Sequence, residues 1–443
     1  MLADSPSLQK PRGIVRLNTK RKDRFVCGYS VNLSLTRLES QVPAPQDRGL
    51  FDGTGYVQVR SRILSHLPRP PRRSMDSPLR IAFLDSWKES AFDGSGTAVG
   101  IANLATSLRR LGHEIELIRS PVNTGGARSR FVFNLQMPSL LRSRPPYDLV
   151  VGFDLDGFRW ASTADRPCPY VVCLKGIAAD EARFARSVRE RVGLSALAWL
   201  ERGNARGADR VIVPSGYSAR IARSCYGIMG PDLRIVPEAV DLRPWTTLRS
   251  TASSALAPAR ATRPTILSVA RQYPRKDTAT LIRALPRVLK IHPQARLVVI
   301  GGGPELPRLR ALVTLLGLDD VVSLRGAVER DEDVRAAFYD SHVFCLPSRQ
   351  EGFGIVFVEA MAAGLPIVAA RSAAVPEVVS HEETGILVAP GNVRALGDAL
   401  SNLLGDPQKR SRLGDAGIRR ANAFDLSTVG PLFLRAALPE RAR

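Results

Sequence analysis

Two glutamates eight residues apart, Glu351 and Glu359, frame the stretch of this sequence best suited to chemistry. Gly352 and Gly354 lie between them, after an apolar run that ends at Leu346-Pro347-Ser348 and before a helix that the pattern starts near Ile355. A parallel sheet binds ligands outside the carboxyl ends of its strands. A glycine ahead of a helix lets the backbone come close to a ligand, and the free N–H groups of the first turn attract phosphate. Carboxylates accept hydrogen bonds from sugar hydroxyls, so two of them flanking a diphosphate suit a sugar at one end and a ribose at the other. Taken alone, two glutamates at this spacing are more often a loop acid and a helix-face acid. The weight therefore falls on the elements around them.

Those elements alternate. From residue 79 onward strands and helices follow one another, the pattern of a parallel sheet with helices on both faces. Strands are expected at 79–84, 114–118, 148–153, 170–174, 210–213 and 234–237. Ile101, Leu104, Ala105, Leu108 and Leu111 recur at helical spacing after a glycine-containing loop, and a long helical stretch is expected from about 179 to 206. Residues 246–263 are rich in Ser, Thr, Ala and Pro and read as a linker. A second alternating series follows, with strands at 265–269, 296–300, 321–324, 343–346 and 366–369. Its helices are expected near 277–291, 304–316, 331–339 and 355–363.

The bulk properties narrow the classes. With 443 residues, 44% hydrophobic, the chain can hold two to three ordinary globular domains. No uninterrupted apolar run is long enough to span a bilayer, and the N-terminus lacks the pattern of a signal peptide. Cys27, Cys168, Cys173, Cys225 and Cys345 form no CxxC pair, and the five histidines show no ligand spacing. A reducing, cytoplasmic protein without a metal site is expected. The net charge of +21 attracts polyanions: nucleic acid, an anionic membrane or a phosphorylated substrate. Part of it lies in residues 1–78, where 14 lysines and arginines face 6 acids and a Pro-Arg-rich run closes the segment. That composition favours an extended tail, with Met75 as a candidate natural start. Between Asp180 and Arg206 arginines accompany apolar residues, so this stretch could lie on an anionic membrane or simply leave its arginines in water.

Ser348 to Ala370 reads SRQEGFGIVFVEAMAAGLPIVAA. It closely resembles the E-x7-E signature of the retaining family 4 glycosyltransferases, including the EAMA-x-G-x-P stretch that follows. The resemblance gives Glu351 the transferred sugar and Glu359 the ribose, with the backbone amides of Gly354, Ile355 and Val356 holding the diphosphate or sugar. Ser268 to Asp277 is similar to the family loop in which an arginine and a lysine five residues later clamp the diphosphate, which implies Arg271 and Lys276. Two cations can neutralise a departing nucleoside diphosphate without a metal. Leu324 to Val328 resembles a segment that frames the nucleobase, which points to the backbone of Arg325 and Val328. Gly94 and Gly96 match a glycine-rich acceptor-side loop, although a lone GxG is also a plain turn.

The resemblance covers residues 79 to about 425 and departs in two places. Many members have Asn-Gly where this chain has Glu238-Ala239, and a histidine where it has Lys175. A lysine there could pair with a phosphate or an acidic acceptor but is a poorer proton acceptor. Asp154 and Asp156 could bind an acceptor hydroxyl or cap their loop. The resemblance implies an α/β, GT-B architecture of two Rossmann-like domains facing across a cleft. Residues 79–245 would bind the acceptor and residues 264–423 the nucleotide sugar, with 424–443 a helix returning to the first domain. The expected reaction is transfer from a nucleotide-diphosphate sugar to an acceptor hydroxyl of a glycan, lipid or small molecule, with retention of configuration and no cofactor. Peripheral contact with the inner face of an anionic membrane is a candidate. The rivals are a GT-B-type nucleotide-sugar epimerase or hydrolase and a basic nucleic-acid-binding protein. The last lacks the aromatic-basic surfaces that such proteins use, so no nucleic-acid partner is expected.

Overall fold

The computed structural model describes residues 77–86, 96–119, 127–246 and 263–438. The basic segment 1–76, the loop holding Gly94 and residues 247–262 of the Ser/Thr/Ala/Pro-rich stretch lie outside the described residues. The first half builds a six-stranded sheet from β1 (Arg80–Asp85), β2 (Glu114–Arg119), β3 (Leu149–Phe153), β4 (Tyr170–Cys173), β5 (Arg210–Val213) and β6 (Leu233–Ile235). All its pairings are parallel, in the order β2-β1-β3-β4-β5-β6. The second half repeats the plan with β7 (Thr265–Val269), β8 (Arg296–Ile300), β9 (Val322–Gly326), β10 (Val343–Leu346), β11 (Ile367–Ala370) and β12 (Gly385–Val388). Its order is β12-β11-β10-β7-β8-β9, again all parallel. Helices cover both faces, so the central strands are buried from end to end and read as continuous apolar runs such as Ile81-Ala82-Phe83-Leu84.

In each sheet the strand order reverses once, between β1 and β3 in the first and between β7 and β10 in the second. At such a point neighbouring loops leave in opposite directions and open a crevice. The helices that matter for the site are α1 (Gly96–Arg110), α2 (Ala127–Arg142), α3 (Val188–Gly207), α4 (Asp331–Tyr339), α5 (Ile355–Ala362) and α6 (Leu426–Ala437). Leu426, Val429, Phe433 and Ala437 of α6 are buried in the first-half core with Ile81, Phe83 and Leu108. Ser107 Oγ of α1 donates to Leu426 O. Val240 and Trp245, in the part of the chain read as first-half sequence, are built into the core of the second half, where Trp245 meets Phe338 edge-to-face at 5.2 Å.

Two local expectations are corrected. The helical stretch expected from about 179 to 206 is broken: a turn over Ala178–Glu181 and a 3-10 turn over Ala182–Phe184 precede α3. The cause is Ser187, extended at φ −123, whose hydroxyl accepts from Glu190 N at 3.1 Å. Glu190 Oε2 in turn accepts from Arg186 N at 2.8 Å, a variant of the reciprocal capping box. The strand β12 is absent from the sequence reading, as are helices over Ala127–Arg142, Val393–Gly405 and Pro407–Ala421. Gly385-Ile386-Leu387-Val388 opens on a glycine and lies at the sheet edge with only alternate residues buried, so it lacks the signature of a strand buried on both faces.

Candidate active site

The loops after β7 and β10 flank the reversal point of the second sheet, and they carry a close, buried ion pair. Lys276 Nζ lies 2.5 Å from Glu351 Oε1, with both side chains largely buried. Ser348 Oγ donates to the same oxygen at 2.8 Å. Burial pushes the Glu351 carboxyl up, but Lys276, Arg275 and the two hydrogen bonds reverse this and hold it below its ordinary value. Lys276 lies below its ordinary amine value, because of burial and the nearby Arg275 charge. The two loops are tied by Arg349 N donating to Arg275 O at 2.8 Å and by Arg275 Nε donating to Gln350 Oε1 at 2.9 Å.

Arg271 and Arg275 both stack near Tyr273, at 5.5 and 5.2 Å from the ring centroid. The buried Nε of Arg271 has no hydrogen-bond partner among the described residues. A buried donor left open is costly unless a ligand takes it. Gln272 braces this loop from beneath, donating to Ala270 O and accepting from Thr278 Oγ1. The glycine loop after β8 packs on it so closely that a Cβ at Gly301 would lie 1.9 Å from Ala270 O.

At the start of α5, Gly354 is left-handed at φ 93 and, as a glycine, offers no side chain to cap the first-turn amides. A Cβ at Gly354 would meet the Phe357 ring at 2.6 Å. Only glycine holds this corner, and it leaves the N–H groups of Ile355 and Val356 to an anion. Glu359, one turn on, has its carboxyl raised to about 7 by burial and by Asp331 at the start of α4, against the pull of Arg335.

The first half contributes from its own strand ends. Asp154, after β3, sits at φ 55 and accepts from the amides of Lys175 and Gly176, at 2.7 and 3.3 Å. Burial pushes its carboxyl up to about 7. Lys175, after β4, reaches Glu238, after β6, at 2.7 Å. Asp156 is fully buried and accepts from Ser86 and Asn134, so it ties the loop together. Glu201 of α3 accepts from Tyr226 Oη and Ala178 N, and burial raises it to about 8.

Many of these groups line one cleft of about 710 Å³ between the two halves, with Gln272, Ser348 and Asp156 behind its wall. Its wall includes Arg271, Lys276, Val328, Glu351, Gly354, Ile355, Val356 and Glu359 from the second half, and Gly96 and Lys175 from the first. Of the sequence candidates, Arg325 is exposed on β9 and does not contribute to the wall, and Gly94 lies outside the described residues. The sequence reading passed over Arg130, Glu201 and Asp331 as wall residues and treated Glu238 only as a departure. Arg130 and Asp331 stand near helix starts and Glu238 follows a strand, whereas Glu201, well inside α3, carries no such signal. Among the described residues no group of three or more His, Cys, Asp or Glu side chains could hold a metal ion.

Comparison with known proteins fits this geometry. Residues 94–243 match the family described as Glycosyltransferase Family 4, and residues 253–420 match that described as Glycosyl transferases group 1. Sucrose-phosphate synthase from Thermosynechococcus elongatus superposes with a TM-score of 0.67 over 81% of this chain and 98% of its own, at 22% identity. The fold is GT-B. A second GT-B structure, the glycosyltransferase WaaG involved in lipopolysaccharide biosynthesis, gives a TM-score of 0.63 over 81% of this chain and 99% of its own, at 17% identity. At these identities the likeness concerns the fold alone. In sequence, the GT-B chain is 35% identical over 243 residues to a GDP-mannose-dependent alpha-(1-6)-phosphatidylinositol monomannoside mannosyltransferase of Mycobacterium tuberculosis. That match covers 53% of this chain and 59% of the relative, so the chain spans little more than half of that protein's length.

Proposed function

We propose that this chain is a glycosyltransferase that moves a sugar from a nucleotide-diphosphate sugar to an acceptor hydroxyl with retention of configuration. The observation that carries the reading is the buried Lys276–Glu351 pair beside the uncapped start of α5, with the open Nε of Arg271 in the same wall. In this reading the amides of Ile355 and Val356 hold the diphosphate, and Arg271 and Lys276 neutralise it as it leaves. Glu351 accepts hydrogen bonds from the sugar hydroxyls and Glu359 from the ribose, while Val328 packs on the base. The charge that develops on the leaving diphosphate meets fixed cations and dipoles, which is where such sites gain most of their rate. Attack from the face of departure passes the acceptor proton to the leaving phosphate, a course that needs no covalent nucleophile from the protein.

Guanosine diphosphate mannose is the first donor to test, because a relative's name carries it. The acceptor half faces a surface fit for a lipid-borne substrate. Val188, Val192 and Trp199 of α3 are 80%, 62% and 74% exposed on a helix that also carries Arg189, Arg191 and Arg202. An apolar face with arginines suits contact with an anionic membrane. No helix among the described residues is long and apolar enough to cross one.

The test is to incubate the full chain with GDP-mannose, UDP-, ADP- and dTDP-sugars and to follow thermal stabilisation, then product by NMR. A bound donor raises stability by mass action. Glycoside formation with the donor's anomeric configuration supports the reading. An inverted product sinks the retention, and release of free sugar regardless of added acceptor replaces transferase with hydrolase.

A further inference from the structure

A second buried ion pair stands in the first-half wall of the cleft. Lys175 Nζ and Glu238 Oε2 are 2.7 Å apart, with side chains only 10% and 7% exposed. Among the described residues this is the only hydrogen bond that either side-chain terminus makes. An ammonium has three N–H donors and a carboxylate four lone-pair sites, so the pair keeps spare capacity of both kinds side by side. Both residues belong to the wall of the cleft. Burying two charges is costly, and an apolar pair of the same size usually stabilises a scaffold as well or better. A pair kept at a cleft wall therefore calls for a role beyond packing.

Its surroundings are built to hold it. Gly100 of α1 passes so close that a Cβ there would lie 2.6 Å from Glu238 Oε2 and 3.5 Å from Ile355 Cδ1. Lys175 O in turn lies where a Cβ on Gly352 would come within 3.0 Å. The pair thus sits beside Gly352 and Ile355, which stand on either side of Gly354 at the start of α5. Phe153 provides an aromatic face 5.7 Å from the ammonium. Burial works against the Lys175 charge, but Glu238 outweighs it and holds the amine above its ordinary value, so it is a donor and not a base.

We propose that Lys175 and Glu238 together bind a vicinal pair of hydroxyls at the junction of donor sugar and acceptor. Lys175 donates to one oxygen while Glu238 accepts from the neighbouring hydroxyl. Vicinal hydroxyls offer two oxygens a hydrogen-bond length apart, each both donor and acceptor, which a neighbouring cation and anion match. The diol belongs either to the transferred sugar or to a polyol acceptor, and the inference rests on the nucleotide-sugar reading given above.

The test uses the full chain, with the parent, Lys175→Met, Glu238→Gln and the double variant Lys175→Met/Glu238→Leu. Each single change leaves a buried charge or donor unmatched and lowers thermal stability. The double change removes both charges and restores stability to the parental value or above. GDP and GDP-mannose affinities are measured by calorimetry, and GDP-mannose consumption is followed with methyl α-mannoside or myo-inositol added. The stable double variant should bind GDP as the parent does. It should bind GDP-mannose about 10- to 100-fold more weakly if the diol is the donor's. It should bind both normally but show a 10-fold or greater loss of polyol-stimulated consumption if the diol is the acceptor's. A double variant with parental stability, parental GDP-mannose affinity and unchanged polyol-stimulated consumption overturns the proposal. Where the parent binds another nucleoside diphosphate in place of GDP, the same measurements are made with that nucleotide and its sugar; a parent that binds none of GDP, UDP and ADP is a different result, and it removes the donor reading on which the proposal stands.

Discussion

Each acid of the site is set by its neighbours. Glu351 is held ionised by Lys276 and Arg275, whereas Glu359 has only Arg335 against burial and Asp331. The Glu359 carboxyl near 7 has a consequence for stability. A folded-state value above the unfolded one means the folded protein binds the extra proton, so this residue costs stability as pH rises from about 4.5 to above 7. Glu359→Gln should therefore match the parent at pH 4.5 and melt higher than it at pH 8, as calorimetry at the two pH values will show. A parent that is relatively more stable at pH 8 would count against the assigned environment. Arg271→Ala should lower kcat/KM by about 100- to 1000-fold, the scale for loss of one group that stabilises developing charge. A loss below about threefold in steady-state kinetics would remove Arg271 from the reaction. The glutamates and Arg271 were legible because the residues around them form a recognisable string. The Lys175–Glu238 pair was not, since 63 residues separate its members and only the strand order brings β4 and β6 to one edge of the cleft.

At the scale of elements, the site is a set of strand-end loops and one helix start. Gly354→Ala forces a side chain into left-handed backbone and into Phe357, and should cost about 1–2 kcal/mol of stability. It should weaken nucleotide-sugar binding more than it lowers Tm, because it moves the amides of Ile355 and Val356; equal donor affinity in calorimetry would contradict their role. The arginine-flanked face of α3 makes a separate prediction. Trp199→Ala should reduce co-sedimentation with vesicles containing phosphatidylserine and leave donor affinity unchanged, and unaltered sedimentation would dismiss this face as a membrane contact. The strands were readable where burial on both faces made uninterrupted apolar runs, as in β1, β8 and β10. Elements were missed where the signal was mixed. β12 is an edge strand that opens on a glycine and buries only alternate residues, and α2 places Phe131, Val132 and Leu135 half in solvent, which blurs its apolar face. The break before α3 was written in Ser187 and Glu190, a capping signature that the apolar periodicity alone conceals.

Across the whole molecule the two halves are joined by contacts that no local pattern announces. Arg275 pairs with Glu181 at 3.0 Å, and Arg186 pairs with Glu305. The Glu377 carboxylate accepts from the amides of Gly216 and Tyr217 at 2.7 Å each, and Ser215 Oγ donates to Gly352 O at 2.7 Å. These contacts set the wall groups of the first half against those of the second. The central claim is that the second half's switch point holds a nucleoside diphosphate through Arg271, Lys276 and the start of α5. It is tested most directly by titrating GDP, UDP and ADP into the full chain and into the variant Arg271→Ala/Lys276→Met by calorimetry. One nucleotide should bind the parent with a Kd in the micromolar range and the variant at least about 100-fold more weakly, as expected for two charge-assisted contacts. If none of the three binds the parent, or the variant binds as tightly, the cleft is not the donor site described above.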